Sequence, residues 1–89
     1  MNEAYLLVTF RRGRPLAAYY FLPRRVRDKA VRTERVEAGM LVDFGPGDRP
    51  IGIEISAPTK LTVAALNRVL TQLGLARVTR EELAPLLAA

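Results

Sequence analysis

Between Tyr5 and Leu22 the chain carries two runs rich in Tyr, Phe, Val and Leu, separated by Arg11-Arg12-Gly13-Arg14-Pro15. That pattern predicts a β-hairpin, with Gly13 free to take the positive φ of a tight turn and Pro15 starting the second strand. If Arg12 pairs with Pro15, Leu6, Val8 and Phe10 share one side with Phe21, Tyr19 and Ala17. Tyr5, Leu7 and Thr9 then share the other with Leu22, Tyr20 and Ala18. Both sides are largely apolar, whereas a hairpin with one wet face alternates apolar and polar residues. The expectation is a helix against one side and a second layer or another subunit against the other.

The polar stretch from Arg24 to Lys29 reads as a loop, and Ala30 to Val36 as a third strand. Arg32, Glu34 and Val36 lie on one side of that strand and Val31, Thr33 and Arg35 on the other. Met40-Leu41-Val42-Asp43-Phe44, the turn Gly45 to Pro50, and Ile51-Gly52-Ile53-Glu54-Ile55 give the clearest strand alternation in the chain. Pairing Phe44 with Ile51, Val42 with Ile53 and Met40 with Ile55 lines one face with six apolar side chains. The opposite face receives Leu41, Asp43, Gly52 and Glu54.

Helical spacing begins only after Ala57-Pro58. Thr62 suits an N-cap, Val63, Leu66, Val69, Leu70 and Leu73 form one apolar stripe, and Gly74 sits where a left-handed C-terminal cap belongs. Thr79-Arg80-Glu81-Glu82 matches a capping box, with Val78 and Leu83 spaced as a hydrophobic staple. Pro85 inside the final helix predicts that it is short or kinked. The expected architecture is a single α+β domain over 1–89. Residues 1–56 build a mostly antiparallel five-stranded sheet from two hairpins and a linking strand, and 57–89 supply two C-terminal helices, the first packed on one sheet face.

Composition narrows the chemistry. The 89 residues include no Cys, His or Trp, which excludes Ser-His-Asp and Cys-His nucleophiles, thiolate or imidazole zinc sites and an imidazole base. No catalytic residue, metal site or cofactor is expected, and the chain reads as a non-enzymatic protein. The lack of Cys fits a reducing compartment. The opening residues lack a secretory pattern and the apolar runs are too short to cross a membrane, so a cytoplasmic protein without membrane contact is expected.

Charge is uneven. Of the net +5, residues 1–35 supply nine cations against three acids, and the remainder is close to neutral. Twelve of the fourteen cations are Arg, which binds carboxylate and phosphate bidentately. One reading is a genomic or thermophile-like Arg bias on a solvated face. The other is a contact surface: Arg11, Arg12 and Arg14 at the hairpin tip and Arg24, Arg25 and Arg27 in the loop, facing an acidic protein partner or, with the neighbouring aromatics, a nucleic acid.

Asp43 and Glu54 are the motif-borne acids, expected on one face as diagonal neighbours roughly 7–8 Å apart. At that distance two carboxylates could perform acid/base work or share a divalent cation. Alternatively each pairs with an Arg such as Arg32 or Arg35 and fixes the sheet register. Gly52, inside a strand, marks a bulge or a large side chain lying across the backbone.

The segment from Thr33 to Phe44, continued by Gly52-Ile53-Glu54-Ile55, resembles the small bacterial and archaeal proteins grouped as domain of unknown function 2283. Their signature is a V-D-(Y/F) strand, a Gly-containing turn and a G-I-E-I strand, and the resemblance covers residues 15–58. The upstream family run Asp-Ala-(Leu)-Tyr corresponds to Leu16-Ala17-Ala18-Tyr19-Tyr20, which keeps the Tyr and lacks the acid. The resemblance implies a small sheet-plus-helix protein without established activity, with an antitoxin-like role, in which Asp43, Gly52 and Glu54 are structural. A homo-oligomer, dimer or tetramer, is expected because the apolar surface exceeds what so small a subunit hides.

Overall fold

The computed structural model describes residues 3–25, 28–37 and 39–87. Five strands, β1 (Tyr5–Arg11), β2 (Arg14–Phe21), β3 (Arg32–Glu37), β4 (Met40–Phe44) and β5 (Pro50–Ile55), form one antiparallel sheet in the order β1-β2-β5-β4-β3. Helix α1 (Val63–Gln72) and a single turn, α2 (Ala84–Leu87), follow. The fold is therefore α+β, with two local hairpins joined edge to edge by the long-range pairing of β2 with β5.

The core lies on one side of the sheet. Met40, Val42, Phe44, Ile51, Ile53 and Ile55, the six residues that alternation assigns to one face, are all buried. Ala18, Tyr20 and Leu22 join them from β2 and its end, and Leu66, Val69 and Leu70 of α1 close over them. Thr62 caps α1 by accepting a hydrogen bond from the Ala65 amide at 3.0 Å, and Gly74 takes φ 74° beyond its end.

The capping box forms in both directions: the Thr79 amide donates to Glu82 Oε1 and the Glu82 amide donates to Thr79 Oγ1. Val78 and Leu83 are both buried beside it. Pro85 sits at the second position of α2, and the turn leading to α2 is held by Leu83 to Arg80 and Ala84 to Glu81 backbone bonds. The final helix is accordingly four residues long.

Three expectations need correction. The first hairpin turns on Arg12 and Gly13 alone, with φ of 53° and 77°, so Arg11 pairs with Arg14 rather than Arg12 with Pro15. Two consecutive positive φ values give the tight turn whose twist matches that of paired strands. The register moves by one: Leu6 and Val8 join Tyr20 and Ala18 on the core side, and Tyr5, Leu7 and Thr9 join Phe21, Tyr19 and Ala17 on the other. A bulge between Thr9 and Phe10 absorbs the extra residue, so that Phe10 opposes Pro15. In the second hairpin Phe44 pairs with Pro50, not Ile51, because a bulge follows Asp43; the remaining pairs are as expected. The third strand runs Arg32–Glu37 instead of 30–36.

Candidate functional site

The sheet face opposite the core carries the polar and aromatic residues of interest. Asp43 on β4 stands opposite Gly52 on β5, and Glu54 opposite Leu41. The two acids are thus diagonal neighbours on that face. Asp43 does not pair with an Arg. Its Oδ2 accepts a hydrogen bond from the Tyr19 hydroxyl at 2.7 Å, and its Oδ1 accepts one from Thr33 Oγ1 at 2.6 Å. Arg32 bonds instead to Asp48 and Glu34 and lies 4.2 Å over the Phe44 ring. Glu54 is exposed, with no hydrogen bond or ion pair among the described residues.

Gly52 explains how Tyr19 reaches Asp43. The two residues are separated by β5, and the Tyr19 ring crosses that strand at Gly52. A Cβ on Gly52 would collide with the Tyr19 hydroxyl oxygen and with the ring carbon bearing it, well inside van der Waals contact. Only a residue without a side chain admits this crossing. Burial, and next the hydrogen bond to Asp43, raise the Tyr19 hydroxyl above its ordinary pKa. Tyr19, Asp43 and Thr33 therefore tie β2, β4 and β3 together across the face. Each Asp43 oxygen accepts one of these hydrogen bonds. Among the described residues no cluster of three or more acids has metal-binding geometry.

The other half of the face is apolar and aromatic. Tyr5 and Phe21 stack with ring centroids 4.5 Å apart, Tyr19 meets Phe21 edge-on at 4.6 Å, and the Arg24 guanidinium lies 5.0 Å from the Phe21 centroid. On this face Leu7 is 54% exposed and Tyr5 44%; Phe10, which alternates with Leu6 and Val8 onto the other side, is 51% exposed. None of the described helical segments packs on the Tyr5 and Leu7 side.

The cations of the N-terminal third do not form one patch. Arg11, Arg12 and Arg14 are exposed at the hairpin turn, whereas Arg24 and Arg25 follow the far end of β2. Eight strand residues at about 3.3 Å each put the two groups roughly 25 Å apart. Arg27 lies outside the described residues. Across the loop, Asp28 accepts hydrogen bonds from the Arg25 amide and from the Arg49 guanidinium, and these two contacts hold its carboxyl below the usual range.

Two polar features carry no local sequence signal, because their partners are far apart in the chain: the Asp28–Arg49 pair and the Glu37–Arg68 pair. In the second, Arg68 donates twice to Glu37 Oε1, while Oε2 is buried without a partner among the described residues. It lies beside a cleft of about 170 Å³ that Lys60 also lines. A single ordered water would satisfy that oxygen.

No helix among the described residues is long and apolar enough to cross a membrane. Comparison with protein-family models, with curated proteins and with solved structures found no match for this chain.

Proposed function

We propose that this chain is a non-enzymatic binding module that works as a homo-oligomer, joined through its β1–β2 hairpin, and that its exposed turn arginines engage an acidic partner as an antitoxin-like regulator would. The observation that carries the reading is the division of the sheet. One face supports the whole core, while the hairpin's other face leaves Tyr5 and Leu7 half exposed with nothing above them among the described residues. Tyr5 and Leu7 thus leave adjoining apolar surface open on that face, the kind of surface through which soluble proteins meet partners.

A single-strand nucleic-acid platform is less well supported. Base stacking needs open ring faces, and here Tyr5 and Phe21 stack on each other, Arg24 covers Phe21, and Tyr19 lies flat across Gly52. Light scattering at tens of micromolar protein is expected to return at least twice the 9.9 kDa chain mass. A monomer mass overturns the oligomer. For the partner, a labelled polyglutamate peptide is expected to bind at low salt and to be lost on changing Arg11, Arg12 and Arg14 to Glu. Binding of labelled single-stranded RNA in place of the peptide would favour the nucleic-acid reading.

A further inference from the structure

The sheet ends in two unlike strands. β3 carries Arg32, Glu34, Arg35 and Glu37 along six residues, and such charge on an edge discourages pairing with another strand. β1, at the opposite edge, reads Tyr-Leu-Leu-Val-Thr-Phe-Arg, with its only charge at the last residue. Its backbone pairs with β2 on one side and with no described strand on the other. Seven consecutive extended residues, uncharged up to the last, form a template for a further strand.

We infer that the occupant of this edge is β1 of a second copy, paired antiparallel about a two-fold axis at Val8, so that two five-stranded sheets become one of ten strands. This rests on the oligomer proposed above and specifies how it forms. Charge complementarity sets the direction. Glu3 stands before β1, and Arg11, Arg12 and Arg14 lie at its far end. Antiparallel pairing brings Glu3 of each copy beside the turn arginines of the other, whereas parallel pairing stacks like charges.

Full overlap of the strand sets the register. With Val8 opposite Val8 of the partner subunit, Leu6 meets the partner's Phe10 and Leu7 meets the partner's Thr9. Tyr5 then meets the partner's Arg11, a pairing in which a guanidinium can lie over the ring. Opposed residues in this arrangement share a face, so the axis is perpendicular to the sheet and both helical layers fall on one side. The pairing covers Phe10 and extends the stripe that Leu6 and Val8 already form on the core side. A closed two-fold contact of this kind also uses up the edge, leaving only the two charged β3 edges outside.

The native chain has no Cys, so single-cysteine variants report the register directly. Opposed antiparallel residues have Cα atoms about 4.5–5.5 Å apart, within reach of a disulfide. Val8→Cys is therefore expected to give a covalent dimer under mild oxidation at least ten-fold faster than Leu6→Cys, whose two copies would lie about 13 Å apart. Leu7→Lys, which puts a charge on the edge, is expected to shift the unlinked protein to monomer while leaving its circular dichroism spectrum unchanged. If the protein is oligomeric but Val8→Cys links no faster than Leu6→Cys, the edge pairing is wrong and the oligomer stands. A monomer in light scattering overturns both.

Discussion

The two ends of this sheet are built on opposite chemical plans. At the β3–β4 end, polar side chains are braced to one another: Thr33 and Tyr19 both donate to Asp43, Arg32 joins Glu34 and Asp48, and Arg68 reaches Glu37. At the β1–β2 end the face opposite the core, which also carries Asp43, offers Tyr5, Leu7 and stacked aromatic rings. At the braced end most polar groups find partners within the chain, Glu37 Oε2 excepted among the described residues. The apolar end leaves an uncharged stretch of edge along β1, against the charged edge of β3, which is the reason the proposed assembly contact is placed at that edge and not at the other.

The largest expected effect comes from cutting the brace where it crosses β5. Gly52→Val puts a side chain where the Tyr19 ring lies, forcing the ring away and leaving Asp43 without one of its two donors. Hydrogen bonds to charged groups contribute about 1.5–3 kcal/mol, so urea unfolding is expected to show a loss of about 2–3 kcal/mol. In a Tyr19→Ala background the same substitution is expected to cost much less, since the ring it displaces is gone. Equal costs in the two backgrounds would mean that the crossing does not couple the residues.

Tyr19→Phe removes only the hydroxyl and is expected to cost about 1–2 kcal/mol at neutral pH. It also tests the brace through pH. The folded state raises the Tyr19 pKa above the unfolded value of about 10, so its contribution is fully present below pH ~10 and is lost as pH rises beyond it. Alkaline unfolding curves are expected to fall less steeply in the Phe variant. Part of the decline persists, because burial, followed by the nearby Glu82, also raises Tyr20.

The braced end is also the harder one to read from sequence. Strand alternation alone locates β4 and β5 and all six of their buried apolar side chains, and Thr62 and Gly74 mark α1 because capping is a local affair of three or four residues. Gly52 signals a side chain lying across the strand, but alternation does not say that it is Tyr19 or that it ends on Asp43. That contact spans 24 residues and depends on β2 pairing with β5, a choice no local pattern specifies. Conversely, the first hairpin is recognisable but its register is not, since Arg is an unusual residue for positive φ and the pattern places the turn around Gly13 and Arg14.

A smaller effect is expected at the start of the braced edge. Asp28 links the loop before β3 to Arg49 in the β4–β5 turn. Its pKa is lowered in the fold by the Arg25 amide and then by Arg49, so its contribution is present above the unfolded value of about 4 and is lost as pH falls through the lower folded value. Asp28→Asn is expected to lower the Tm at pH 7, and its melting curve is expected to converge with that of the native protein in acid, once the pH has fallen through the lowered folded pKa. A gap that stays constant into that acid range would assign the contribution to shape rather than charge.

The smallest effect, and the one of opposite sign, belongs to the apolar end. Arg12 holds φ 53° in the first hairpin turn, a conformation that costs most residues about 1 kcal/mol or more and that Asn adopts more readily. Arg12→Asn also places an Asn directly before Gly13, and Asn-Gly is the pair favoured in this turn type. A gain of about 0.5 kcal/mol in urea unfolding is expected, with the β1–β2 register unchanged and one cation fewer at the tip. Because Arg11 and Arg14 remain, affinity for the polyglutamate peptide is expected to drop only modestly. A protein stabilised this way that lost peptide binding altogether would show that Arg12 was kept for its charge at the expense of the turn.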